Sequence, residues 1–263
     1  PHPEAIRYVL LSLTGSGPAD LVFLPDIVRL LGHADREVRV VAAMSLKHWG
    51  RLASPAVPAL VERLDSDPEW WVKYHVVDTL AEIGPVSAIA IDRMIQTFER
   101  GQEVPEEGLL QLRCLQALRG LADPRSLEFF RKMLFHEDGV VREEAAHAIK
   151  NMGSLAAQAV PEICKALLDE SWDLLLEDES LTEPDRRLIL LDALRIMKPQ
   201  SEDVRNVLEK KLYASTPLLR RRALEVLAVL GPEATPILRR ALKHKDSHMR
   251  ETARQELQRR GGN

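Results

Sequence analysis

A unit of about 34 residues recurs along this chain, and such a period is the sequence signature of a helical repeat array. Four segments align without gaps on a shared proline: Leu24-Pro25-Asp26-Ile27-Val28, Val57-Pro58-Ala59-Leu60-Val61, Val160-Pro161-Glu162-Ile163-Cys164 and Thr235-Pro236-Ile237-Leu238-Arg239. Successive prolines are 33, 103 and 75 positions apart, which corresponds to one, three and two units, the last pair with an insertion. Because each repeat packs only on its neighbours, the period predicts a single repeat domain over residues 1–263.

Each unit has the pattern of two helices joined by a polar turn. Proline stands in the first turn of the first helix, where its missing N–H would have no partner anyway. The polar turn contains an aspartate, which we predict to be the N-cap of the second helix. That helix opens with an apolar residue and a cation, contains small residues, and ends on a glycine suited to a left-handed C-cap. The turns are Gly32-His33-Ala34-Asp35, Asp65-Ser66-Asp67-Pro68, His136-Glu137-Asp138-Gly139 and His244-Lys245-Asp246-Ser247, and the closing glycines are Gly50, Gly84, Gly153, Gly231 and Gly261.

The shared theme Asp-x-x-Val-Arg-x-x-Ala-Ala-x-x-Leu-x-x-x-Gly resembles HEAT repeats, in particular the short bacterial HEAT-like repeats of phycobiliprotein lyases. The resemblance covers nearly the whole chain. It implies an all-α fold, an α-solenoid in which about seven helical hairpins form a right-handed, armadillo-like superhelix.

The resemblance also implies a hydrogen-bonded ladder between successive repeats, formed by the turn aspartate and the second-helix arginine. The ladder residues would be Asp35, Arg39, Asp138, Arg142, Arg220, Asp246 and Arg250. Since a buried cation persists only when it is paired and hydrogen-bonded, we interpret these arginines as structural.

The two ends of the repeat array differ in pattern. Residues 3–15 have the apolar spacing of a second helix without a first helix before it, so we expect further sequence upstream of residue 1. The last helix has a polar outer face, as the terminal cap of a repeat array requires.

Composition restricts the range of functions. The chain is 45% hydrophobic and 5% aromatic with a net charge of −4, so no strong overall attraction to nucleic acid is expected. We interpret Cys114 and Cys164, which lie within apolar helical patterns, as buried thiols in a reducing compartment. No apolar run has the length of a membrane span and no signal peptide is visible. These features predict a cytoplasmic protein, with a targeting segment upstream of residue 1 left open.

An aromatic pair is the most specific candidate for a contact site. Trp70 and Trp71 lie in a turn two residues longer than its counterparts, next to Tyr74 and His75. Adjacent residues at a helix start cannot both face the core, so at least one indole is expected to be exposed, as interface anchors are. The alternative is that one indole packs inward while the other covers the insertion.

Two rows of side chains are expected on the inner face when the second helices are aligned on their glycines. The acidic row is Met44, Asp78, Gln116, His147, Asp192, Glu225 and Gln255, and the basic row is Lys47, Ala81, Arg119, Lys150, Arg195, Ala228 and Gln258. Mixed charges suit a protein partner better than a phosphate backbone, but intramolecular pairs three residues apart on a solvated face would give the same pattern. The predicted partner-binding residues are Trp70, Trp71, Tyr74, Asp78, Arg119, His147, Lys150, Asp192 and Arg195.

Two insertions, at residues 101–108 and 170–179, are either sites of specificity or tolerated surface excursions.

No nucleophile–base arrangement, phosphate loop or metal-ligand spacing is present. The sequence therefore predicts a non-catalytic, monomeric protein-binding scaffold or adaptor without a cofactor or metal, whose partner is another protein or peptide. An alternative is nucleic-acid binding or DNA repair, similar to HEAT-like alkylpurine glycosylases, because 11 cations stand against 5 acids after Thr216. A third is a chromophore lyase.

Overall fold

The computed structural model describes residues 2–13, 18–101, 108–172 and 186–261, and this part of the chain contains helices and no strand. The prediction of an all-α fold is therefore confirmed. The insertions at residues 101–108 and 170–179 lie largely outside the described residues. The α-helices are α1 Pro3–Leu13, α2 Leu24–Leu30, α3 Arg36–His48, α4 Val57–Ser66, α5 Trp70–Ile83, α6 Ile91–Gly101, α7 Gly108–Leu121, α8 Leu127–Met133, α9 Gly139–Met152, α10 Val160–Leu168, α11 Arg187–Met197, α12 Glu202–Lys211, α13 Pro217–Val229, α14 Thr235–Ala241 and α15 Ser247–Arg259.

The chain divides into two compact units, Pro1–Ser126 and Leu127–Asn263. In the first unit α1, α3, α5 and α7 each pack on the next helix of this series. Helices α2, α4 and α6 pack on α3, α5 and α7, respectively. In the second unit α9, α11, α13 and α15 form the same succession, with α8, α10, α12 and α14 packed on them in turn. Each unit is thus a two-layered stack of helix pairs, and α1 occupies the place of a second helix.

The shared prolines and three of the turn aspartates act as the sequence predicts. Each of the four shared prolines lies in the first turn of its helix, in α2, α4, α10 and α14. The carboxylate of Asp35 accepts the N–H groups of Glu37 and Val38 at 2.8 and 3.2 Å and caps α3. Asp138 and Asp246 cap α9 and α15 through backbone N–H groups at 2.7 and 2.9 Å. The N-cap prediction is confirmed for these three aspartates.

The N-cap prediction is wrong for the turn that contains Asp67. Helix α5 begins at Trp70, and the preceding Glu69 makes no side-chain cap bond. The two extra residues of this turn separate Asp67 from the helix start. Its carboxylate instead accepts the N–H of Glu69 at 3.1 Å and two bonds from the guanidinium of Arg39.

The predicted left-handed glycine occurs at four of the five closing positions. Gly50, Gly84, Gly153 and Gly261 have positive φ angles. Gly231 does not, with φ −58° and ψ −175°, so the prediction is wrong there. The reason is a different cap, because the side chain of Arg260 donates to the last carbonyl oxygens of α13 and to that of Gly231.

Small residues let neighbouring second helices approach closely. The recurrent alanines Ala42, Ala43, Ala145, Ala146, Ala223 and Ala253 are fully buried. Between α3 and α5 the hydroxyl of buried Thr79 lies 2.9 Å from the carbonyl oxygen of Ala43. This close contact fixes how the side chains of α3 and α5 face each other at the surface.

Candidate functional site

A groove with a cavity volume of about 590 Å³ runs between α3 and α5 of the first unit. The lining residues recur at spacings of three and four, which keeps them on one face of each helix. They are Met44, Lys47 and His48 from α3, and Trp71, Tyr74, His75, Asp78 and Glu82 from α5. This α3–α5 groove offers aromatic, apolar and charged groups within one cleft.

Aromatic rings form one end of the α3–α5 groove. Trp70 and Trp71 lie in the first turn of α5 rather than in the loop before it. Trp70 is half-buried, whereas Trp71 is 42% exposed. The Trp71 ring stacks on Tyr74 with centroids 5.1 Å apart and an interplanar angle of 11°, and it meets Trp70 and His75 nearly at right angles. An indole held by three rings loses little conformational freedom when it binds a partner.

The charged centre of the groove is Asp78, which connects three successive second helices. One carboxylate oxygen lies 2.7 Å from Nζ of Lys47 on α3, and the other pairs with Arg113 on α7. The Asp78 side chain is 14% exposed, so this pair is largely shielded from water. Here one residue of the basic row, Lys47, pairs with one of the acidic row, Asp78, across successive repeats. The alternative interpretation of the rows expected pairs three residues apart on a solvated face, which this pair is not.

His75 is uncharged in the groove at neutral pH. Burial lowers the pKa of His75 below its ordinary value of 6.5, and nearby Lys47 acts in the same direction. The carboxylate of Asp78 opposes this shift without cancelling it. The imidazole therefore contributes to the groove as a neutral ring packed on Trp71 and Tyr74.

Five lining residues were not among the predicted partner-binding residues: Met44, Lys47, His48, His75 and Glu82. Of these, only His48 and Glu82 are also absent from the two predicted rows and from the neighbours of the aromatic pair. Nδ1 of His48 lies 2.8 Å from the carbonyl oxygen of Met44, so this nitrogen carries the ring proton as the donor. Glu82 is exposed, and no ion pair joins it to any residue within the described ranges. Both residues could have been found from helical spacing, because His48 is four positions after Met44 and Glu82 four after Asp78.

Trp70 packs against Trp71 but does not line the groove, and neither do the remaining predicted contact residues. Arg119 lies half-buried on α7, while His147 and Lys150 on α9 and Asp192 and Arg195 on α11 belong to the second unit. Their part in partner binding stays a prediction.

Three of these second-unit residues, Asp192, Arg195 and His147, lie beside charged neighbours. Asp192 lies 3.5 Å from Arg222 on α13 and 3.8 Å from Arg195. His147 lies 3.9 Å from Glu143, which pairs with Arg186 at 2.8 Å. Of these contacts, only that of Asp192 with Arg195 joins the acidic row to the basic row.

The arginines of the proposed ladder share one geometry. Nη1 of each donates to two consecutive carbonyl oxygens of its own turn, at distances between 2.7 and 3.1 Å. The arginines with this arrangement are Arg39, Arg142, Arg220 and Arg250. The bonds hold the turn between the two helices of a repeat in a fixed conformation.

In Arg39, Arg142 and Arg220 the other side of the guanidinium contacts the following turn. Arg39 binds both carboxylate oxygens of Asp67, at 2.6 and 2.9 Å. Nη2 of Arg220 lies 3.7 Å from Asp246. Nη2 of Arg142 donates to the carbonyl oxygen of Ser171 at 3.3 Å, and the guanidinium lies 5.8 Å from the Trp172 ring centroid. These contacts join Arg39, Arg142 and Arg220 to the next turn. Asp35, Asp138 and Asp246 cap their own helices, and Asp246 serves in both ways.

Many cations of the C-terminal half are already paired with carboxylates. Arg240 binds Glu209 through two bonds of 2.6 and 2.7 Å. The other pairs are Arg220 with Asp246, Arg221 and Arg222 with Glu225, Arg254 with Glu251, and Arg259 and Arg260 with Glu256. Acidic side chains are therefore interspersed among the basic residues of this half, and the paired cations do not form a row of a single charge.

The described ranges contain no group of three or more histidine, cysteine or acidic side chains placed to hold a metal ion. None of their helices is both long and apolar enough to cross a membrane.

Stacked helix pairs in both units define a helical-repeat protein of the solenoid class. A family model of HEAT repeats matches residues 3–100 and 105–181, and the chain therefore belongs to the HEAT-repeat family. No curated protein shows significant sequence similarity to the chain.

Solved structures agree with this assignment of the fold. An archaeal HEAT-like repeats protein from Thermococcus onnurineus NA1 is 15% identical with a TM-score of 0.58, over 90% of this chain and 98% of that chain. An engineered protein is 22% identical with a TM-score of 0.59, over 97% of this chain and 73% of that chain. At these identities the similarity concerns the fold alone.

Proposed function

We propose that this HEAT-repeat protein is a non-catalytic scaffold or adaptor that binds a protein or peptide segment in the α3–α5 groove. The observation that carries the proposal is Trp71, a large aromatic side chain that is 42% exposed within a groove of about 590 Å³. Burial of its ring by a partner would remove apolar surface from water, and such aromatic anchors dominate many interfaces. We propose a cytoplasmic monomer that acts without a cofactor.

The groove supports protein binding better than phosphate binding. Its two neighbouring cations, Lys47 and Arg113, are both engaged by Asp78. A phosphate backbone would need several free cations along its path. The paired arginines of the C-terminal half likewise give no support to the nucleic-acid alternative.

A pull-down from lysate, run with and without nuclease treatment, tests the proposal by comparing the wild type with Trp71→Ala. Phe135→Ala is the matched control, because Phe135 is exposed to a similar extent, 44%, and lies in the second unit. All three proteins should first be shown to have the same melting temperature. The expected result is a protein partner that is captured by the wild type and Phe135→Ala and lost with Trp71→Ala.

Two results would argue against the proposal. Equal capture by all three proteins would move the binding surface away from the groove. Capture that nuclease treatment alone abolishes would instead favour binding to nucleic acid.

A further inference from the structure

The charges of the α3–α5 groove are unequally available to a partner. Asp78 holds Lys47 at 2.7 Å and pairs with Arg113, so both cations already have a carboxylate. His75 is kept neutral by burial, which lowers its pKa. Glu82 is exposed, and no residue in the described ranges forms an ion pair with it. The free charge of the lining is therefore a carboxylate.

The aromatic end of the groove attracts a positively charged group, as the carboxylate of Glu82 does. The face of an indole ring carries partial negative charge and attracts cations, tryptophan more strongly than tyrosine or phenylalanine. Trp71 has Tyr74 stacked on it at 5.1 Å and is still 42% exposed. A cationic side chain laid on the free surface of Trp71 would gain this attraction without displacing any ion pair of the groove.

We propose that the α3–α5 groove takes a basic peptide segment, with one lysine or arginine side chain on Trp71 and a second one paired with Glu82. This inference rests on the proposed function and names the chemistry of the partner segment. The ion-paired side chains of Lys47 and Asp78 form the middle of the groove. The part of the peptide between its two basic residues passes over this ion pair.

The length of α5 sets the spacing of the two cations. Trp71 and Glu82 are 11 residues apart, which on an α-helix is about 16 Å. An extended peptide rises about 3.3 Å per residue, so about five residues cover that distance. The matching segment therefore carries its two basic residues about five positions apart.

The test uses three short peptides of identical length, blocked at both ends. The first has arginine at positions 1 and 6 with alanine and serine between, the second has neutral citrulline at the same positions, and the third has glutamate. Binding to the full chain is measured by microscale thermophoresis in low salt. We expect the arginine peptide to bind, more weakly as salt is added, and the citrulline and glutamate peptides to bind at least about fivefold more weakly.

Two variants locate the contacts on the protein. Glu82→Gln should weaken the arginine peptide about two- to fivefold, as for an exposed ion pair. Its matched control is Glu62→Gln on α4, where the Glu62 side chain is 74% exposed. Trp71→Leu should weaken binding by about two- to thirtyfold, according to how far the contact is desolvated.

The inference is overturned if the citrulline or glutamate peptide binds as well as the arginine peptide. It is also overturned if Glu82→Gln behaves like Glu62→Gln, or if the arginine peptide does not bind. These results would leave the proposed function standing wherever the pull-down still shows capture that depends on Trp71. If capture in the pull-down does not depend on Trp71 while the arginine peptide still binds as expected, the result counts against the proposed function alone.

Discussion

Removal of the Asp67 carboxylate should destabilise the first unit strongly. The Asp67 side chain is completely buried and that of Arg39 is 9% exposed. Two bonds of 2.6 and 2.9 Å join them across successive repeats. In Asp67→Ala the guanidinium keeps its bonds to the carbonyl oxygens of His33 and Ala34 but stays buried without a counter-charge.

The size of the effect follows from that buried charge. Loss of one partner of a buried ion pair typically destabilises a protein by about 3–5 kcal/mol. We expect Asp67→Ala to lower the free energy of unfolding by this amount. Urea denaturation followed by circular dichroism measures the total, and hydrogen exchange in α3 and α5 shows whether the loss is local, as nearest-neighbour coupling between repeats predicts.

The matched control is Asp65→Ala, two residues away in the same segment. Asp65 also pairs with an arginine of the next repeat, Arg93 at 3.2 Å, but the two side chains are 36% and 46% exposed. Such an exposed pair contributes about 0–1 kcal/mol. If Asp67→Ala is no more destabilising than Asp65→Ala, the argument from burial is refuted.

A double variant separates the lost ion pair from the stranded charge. When both partners of a buried pair become apolar residues of similar size, the change is often close to neutral. Arg39→Met with Asp67→Leu should therefore be more stable than Asp67→Ala alone. The double variant could instead lose as much free energy of unfolding as Arg39→Met and Asp67→Leu lose together as single variants. That result would show that the bonds themselves, not the unpaired charge, dominate the effect.

Three further predictions follow from other parts of the structure. Burial raises the pKa of Cys164 to about 11, so Ellman's reagent should detect no thiol in the native protein near pH 8 and both cysteines in denaturant; rapid native labelling would contradict this. Because the pKa of His75 is lowered in the folded state, the unfolded chain takes up that proton at a higher pH, and the free energy of unfolding should fall as the pH drops below about 6.5. Urea curves above and below that pH should show this loss, and His75→Gln should reduce it; an unchanged slope would exclude His75 as its source. Arg260→Ala should destabilise α13 and α15 by about 2 kcal/mol through loss of the carbonyl cap, seen as faster hydrogen exchange there but not in α9.

Much of the fold could be predicted because its signals are local. A proline in the first turn, an aspartate cap such as Asp35 and an apolar period each depend on residues within about four positions. The failure at Gly231 shows the limit of this reasoning. Its helix is capped by Arg260, 29 residues further along the chain, and no local pattern identifies that partner.

In the candidate site, too, some features could be predicted from local sequence and others could not. Helical spacing on α5 places Trp71, Tyr74 and Asp78 on one face, and it would also have placed Glu82 there. It could not show that Trp71 is exposed while Trp70 is half-buried, because their exposure depends on how α5 is rotated against α3.

The sequence by itself determined the helix pairs, their order and most of their caps, since these follow from short-range sterics and hydrogen bonding. Only the tertiary structure decided which charges pair across repeats. Asp78 meets both Lys47 and Arg113, and Arg39 meets Asp67 rather than Asp35. Such contacts depend on the register and rotation of neighbouring helices, which are set by the packing of buried residues such as Ala43 and Thr79. The groove, and the free carboxylate of Glu82 within it, therefore become visible only when the repeats are stacked.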